Sequence, residues 1–165
     1  MRKWMIALVA VALLAVIDAG IAARETQLAS GTPVLLELAP VDPRSLMQGD
    51  FMRLSYRMVR DAFPDRVAIP PYGDGRMVVT LDARGVGHFM RFDDGAPLGA
   101  HEVRLRFRVR AGDVKFATNA YFFEEGRGAD FTGARYGEFR VADDGEMILA
   151  LLRDEDLREL PRRSP

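Results

Sequence analysis

Four arginines at alternate positions, Arg104, Arg106, Arg108 and Arg110, interleave with Val103, Leu105, Phe107 and Val109. On an extended strand this spacing puts the guanidinium groups on one face and the apolar side chains on the other. Stacked like charges repel, so the row needs acidic neighbours across a sheet or an anionic ligand. Glu37, Glu138 and Glu146 are the candidate neighbours, and a lipid phosphate, a glycan or an acidic partner the candidate ligands. Cross-strand pairing on a solvated face is the simpler reading.

The stretch from Gly49 to Tyr56 supplies a second set of candidates. Gly49-Asp50 fits a tight turn in which the glycine permits positive φ and the carboxylate accepts from nearby backbone. The strand that follows would turn Met52, Leu54, Tyr56 and Met58 inward, leaving Arg53, Ser55 and Arg57 outside. Asp50, Arg53 and Arg57 are therefore binding candidates, while Leu54 and Tyr56 are core candidates.

The remaining chemistry-bearing groups are sparse. His88 and His101 lack the spacing that brings two imidazoles to one metal. Glu124, Glu125, Asp130 and Glu138 could converge as a cation site or an acid–base pair, although carboxylates beside glycine are common in loops. The absence of cysteine removes disulfides, thiol nucleophiles and thiolate ligands together. Neither a metal nor a cofactor is expected.

These groups must be positioned by strands, because from Pro33 onward the hydrophobic period is two rather than 3.6. Strands are predicted at 34–39, 51–59, 77–82, 85–92, 102–110, 114–117, 136–141 and 147–152, with turns at Asp74-Gly75, Ala83-Arg84, Asp94-Gly95, Ala111-Gly112 and Asp144-Gly145. Prolines at 64, 70 and 71 mark 62–74 as a long loop, and a short helix or ordered loop is expected near 124–134. The predicted fold is mostly β: an antiparallel β-sandwich or barrel-like domain over 32–156, followed by a polar tail, 157–165, that should fray.

One domain is what 165 residues allow. With 23 basic and 24 acidic residues and a formal charge of -1, nothing favours nucleic acid as a partner. Residues 1–31 stand apart. Arg2 and Lys3 precede a run from Trp4 to Ala23 in which Asp18 is the one charged residue. Twenty helical residues span about 30 Å, the thickness of a bilayer's hydrocarbon core. The expected partner of residues 4–23 is thus the lipid bilayer, with the N-terminus cytoplasmic and the β domain outside. A cleaved signal peptide is the alternative, with Gly20 and Ala22 as the small residues before a cut.

Three blocks carry a family likeness: Leu35 to Arg44, Gly49-Asp50-Phe51-Met52-Arg53-Leu54-Ser55-Tyr56, and Tyr121 to Gly126 with Ala134 to Val141. Together they resemble the GDYxxLxY family of membrane-anchored bacterial proteins. Phe51 stands where the family name has tyrosine, and it has no hydroxyl to offer. The resemblance carries no catalytic residues with it.

An N-terminal anchor, the Pro43-x-x-Leu46-x-x-Gly49-Asp50 turn and the late aromatic block also resemble the layout of membrane-bound signal peptidases. That family pairs a serine nucleophile with a lysine base on a later strand. By this likeness the residues to consider are Ser45 and Lys115, the latter being the one lysine beyond the anchor. Such a dyad requires a desolvated lysine within hydrogen-bond reach of the hydroxyl.

The chain thus reads as a single-pass inner-membrane protein of bacteria whose periplasmic β domain is a non-catalytic binding or assembly module. Its expected partner is another membrane protein. A serine–lysine hydrolase, active or degenerate, is the alternative.

Overall fold

The computed structural model describes residues 2–39, 51–65, 69–70 and 72–161. Its first element, α1 (Arg2–Ser30), is apolar all round along most of its length, as a helix surrounded by hydrocarbon would be. It is long and apolar enough to cross a membrane, with a mean hydropathy of 2.6 and none of the apolar window buried.

The helix ends where Gly31 N–H donates to the Gln27 carbonyl at 2.8 Å. A β-carbon on Gly31 would lie 2.5 Å from that oxygen and 3.1 Å from Arg140 Cβ, so glycine lets the helix end meet the domain closely. Gln27 Nε2 also donates to the carbonyls of Glu146 at 2.8 Å and Arg140 at 3.2 Å. The helix therefore enters the domain with no free linker.

The strands are β1 (Thr32–Glu37), β2 (Phe51–Arg53), β3 (Tyr72–Leu81), β4 (Gly87–Phe92), β5 (Glu102–Arg110), β6 (Asp113–Lys115), β7 (Ala120–Phe122), β8 (Tyr136–Val141) and β9 (Met147–Arg153). They pair antiparallel in the orders β1-β8-β9, β4-β3-β5-β6 and β2-β7. A parallel bridge from Leu35 to Val86 joins the first two sheets along one side, and Arg106 N–H donating to the Gly145 carbonyl joins them at another point. The result is a curled half-barrel.

Its interior is filled by the inward members of each alternation, among them Leu36, Met77, Leu105, Phe139 and Leu152. Phe107 lies directly across from Gly75, where an added β-carbon would fall 2.5 Å from the ring, so the aromatic fills the space that glycine leaves.

The architecture agrees with the sequence reading, and β5 and β8 have the predicted bounds. The strand expected over 51–59 does not persist. It stops at Arg53, Tyr56 makes a lone bridge to Leu38, and the short helix α2 (Met58–Ala62) follows. Met52, Leu54, Tyr56 and Met58 are nevertheless all buried, because the chain turns as it passes through the core and keeps them inside. β3 begins at Tyr72, inside the stretch read as loop, and carries Asp74 and Gly75 as paired strand residues rather than as the turn expected there, because both lie in register with β5; β7 was not foreseen. Near 124–134 a 3-10 turn forms at Gly128–Phe131. The chain from Leu157 does not fray at once: Leu160 N–H donates to the Leu152 carbonyl at 3.0 Å.

Candidate functional site

On β5 the four arginines do share one face, but they do not share one fate. Arg104 Nε bonds Asp93 Oδ2 at 2.7 Å, and this contact, first among several, holds the Asp93 carboxyl below its ordinary range. Arg106 reaches Asp144 at 3.4 Å and Glu146 at 3.7 Å. Arg110 meets Asp74 at 2.8 Å. Arg108 has no ion-pair partner among the described residues: its register neighbour on β3, Asp74, turns to Arg110, and its neighbour on β6 is another cation, Lys115.

Of the neighbours proposed from sequence, Glu146 serves the row. Glu37 instead pairs with Arg57 at 3.1 Å, and Glu138 with Arg153 at 2.6 Å and Arg140 at 3.2 Å. Of the missing partners, Asp93 and Asp144 sit in or beside turns, where strand alternation gives no signal, and Asp74 lies within β3, at a position read as a turn from sequence.

A cleft of about 520 Å³ lies between β6, α2 and the segment from β2 to Tyr56. Arg53, Arg60 and Lys115 line it, and none of them has an ion-pair partner among the described residues. Asp113, Ser55 and Asn119 add polar groups, and Phe51, Val59, Phe63 and Ile69 add apolar wall. Tyr56 forms part of the wall, its phenol donating to the Thr118 carbonyl at 2.7 Å, and burial pushes its ionisation upward. Asn119 Nδ2 donates to the Val114 carbonyl at 3.2 Å, while its buried Oδ1 has no hydrogen-bond partner among the described residues.

The site residues read from sequence are thereby sorted. Arg53 and Lys115 meet at the cleft, and Arg57 is drawn away to Glu37. Asp50 and Ser45 lie outside the described residues. Arg60 was missed, because nothing in its spacing ties it to either of the others and only the turn after Tyr56 delivers it.

His88 faces Asp82 at 3.3 Å on the surface. Asp82 accepts from the N–H groups of Val86 and Arg84, and these bonds, the Val86 bond above all, hold its carboxyl below the ordinary range. Glu124 and Asp130 both turn to Arg127 rather than toward each other. No group of three side chains suited to holding a metal occurs among the described residues. The cleft can therefore attract an anion and offer hydrogen bonds and apolar contact to whatever carries it.

The class is that of a mostly antiparallel β domain, curled into a half-barrel and carried on one long apolar helix. The chain matches the family described as GDYXXLXY protein over residues 13–152 and belongs to that family. No curated protein and no solved structure is significantly similar to it.

Proposed function

We propose that this is a single-pass inner-membrane protein whose β domain faces the periplasm and works there as a binding or assembly module for another membrane protein. The observation that carries the reading is the junction at Gln27 and Gly31. An unburied apolar helix of 29 residues passes directly into the domain and is fastened to it, an arrangement suited to a stem rather than to a leader that is removed. Arg2 and Lys3 before the apolar run support a cytoplasmic N-terminus.

A domain held at the bilayer surface meets other membrane proteins at raised effective concentration, so weak contacts suffice for assembly. The hydrolase alternative gains no support: Lys115 is exposed, whereas a lysine base works when withdrawn from water.

The reading is tested by producing the full chain with a C-terminal tag in a Gram-negative host. The expected result is an uncleaved protein in the inner membrane, with its tag digested by protease in spheroplasts but not in intact cells. Mild-detergent purification should then recover a membrane protein in fixed proportion. Release of the domain as a shortened soluble species, or recovery of the chain alone, would overturn it.

A further inference from the structure

We infer that the cleft bounded by Arg53, Arg60 and Lys115 recognises an acidic, partly apolar polypeptide segment of a partner protein. The inference deepens the assembly reading and rests on it.

Charge is the first argument. Most arginines on the sheet face are neutralised by carboxylates at 2.7–3.4 Å. The three cations lining the cleft have no ion-pair partner among the described residues; nor has Arg108, which lies across from Lys115 on one side and from Asp74, engaged by Arg110, on the other. Asp113 is the one carboxylate among the residues lining the cleft, so three cations leave an excess of positive charge there, and an anionic ligand offsets it while gaining charge-assisted hydrogen bonds.

The spread of the charges is the second argument. Arg53 comes from β2, Arg60 from α2 and Lys115 from β6, so the positive groups belong to three separate elements around one opening. Several carboxylates spaced along a chain match such a frame better than one compact oxyanion does. Phe51 adds an apolar surface, its ring packed at 5.8 Å against Phe122, which is 55% exposed. A segment alternating acidic and apolar side chains would use both.

Position is the third argument, and it disfavours lipid headgroups. β1 starts beside the end of α1, and Ala39 beyond its far end lines the cleft. From Thr32 to Ala39 an extended chain advances about 23 Å. Attraction to an anionic membrane surface fades within about 8 Å at physiological salt.

The test pans the full-length protein in detergent against a displayed library of random peptides, alongside a variant carrying Arg53→Gln, Arg60→Gln and Lys115→Gln whose melting temperature has been checked. Peptides enriched on the native protein should be rich in Asp and Glu. A labelled synthetic copy should bind in a salt-sensitive way, about tenfold or more weakly to the variant. Arg57→Gln, outside the cleft, should leave binding unchanged. If the triple variant fails to fold, Arg60→Gln and Lys115→Gln are compared singly.

Enrichment without acidic bias, or binding indifferent to the substitutions, overturns the proposal. So does a result in which inorganic phosphate or phosphatidylglycerol vesicles, rather than peptides, distinguish native protein from variant. Co-purification of a membrane partner undiminished by the triple variant would remove the cleft's role while leaving the assembly reading intact.

Discussion

Tyr56 Oη donates to the carbonyl of Thr118 at 2.7 Å, tying the end of the family motif to the chain between β6 and β7. The ring packs edge-on against Phe116 at 5.2 Å and Phe139 at 5.8 Å, so one side chain joins the cleft wall to the core. In this chain the bond gives the tyrosine at position 56 a role that phenylalanine could not fill.

Tyr56→Phe should keep the fold and lose about 1–2 kcal/mol of stability, since the Thr118 carbonyl is left without its donor. The effect depends on pH. Burial raises the ionisation of Tyr56 in the folded protein, so its contribution is complete below the unfolded value, about 10, and is lost as pH rises further. Urea unfolding at a series of pH values should show the difference between native protein and variant shrinking above pH about 10. A difference that grows with pH would contradict this.

Glu138→Gln should destabilise by about 2–3 kcal/mol, because it leaves two guanidinium groups beside a buried position without their shared carboxylate. Arg153→Gln should cost more than Arg140→Gln. The Arg153 contact is the shorter, 2.6 Å against 3.2 Å, and Arg153 also donates to the Leu157 carbonyl at 2.7 Å. Chemical denaturation gives the ranking, and equal effects of the two arginine variants would refute it.

Arg104→Gln should make the protein more sensitive to acid. Asp93, held below its ordinary range first by Arg104, contributes stability that is present above the unfolded carboxylate value of about 3.9 and is lost as pH falls through the folded value. Removing Arg104 raises the folded value, so the acid-unfolding midpoint followed by circular dichroism should move to higher pH. An unmoved midpoint would show that the pair does not contribute.

Gly75→Ala should cost about 1–3 kcal/mol by driving a methyl group into the Phe107 ring. Combining it with Phe107→Leu should cost less than the sum of the two single changes, since the smaller side chain yields space. Strict additivity in a double-mutant cycle would mean that the two residues do not share this contact.

Much of this protein was determined by short-range pattern. The apolar run from Trp4 to Ala23 makes a helix that no surface stripe limits, and the alternation from Glu102 to Arg110 makes a strand with one charged face. Met52, Leu54, Tyr56 and Met58 were legible as core because hydrophobicity is a property of each side chain, and they stay buried although the strand expected to carry them ends at Arg53.

Tertiary structure alone decided which charges neutralise one another. Register set Asp74 across from Arg108, yet its carboxylate reaches diagonally to Arg110, and the turn after Tyr56 brought Arg60 to the cleft with Arg53 and Lys115 while Glu37 drew Arg57 away. Periodicity acts over a few neighbouring residues. Ion pairs and clefts arise where distant segments close on each other, and that closure depends on bulges, turns and packing that alternation does not encode.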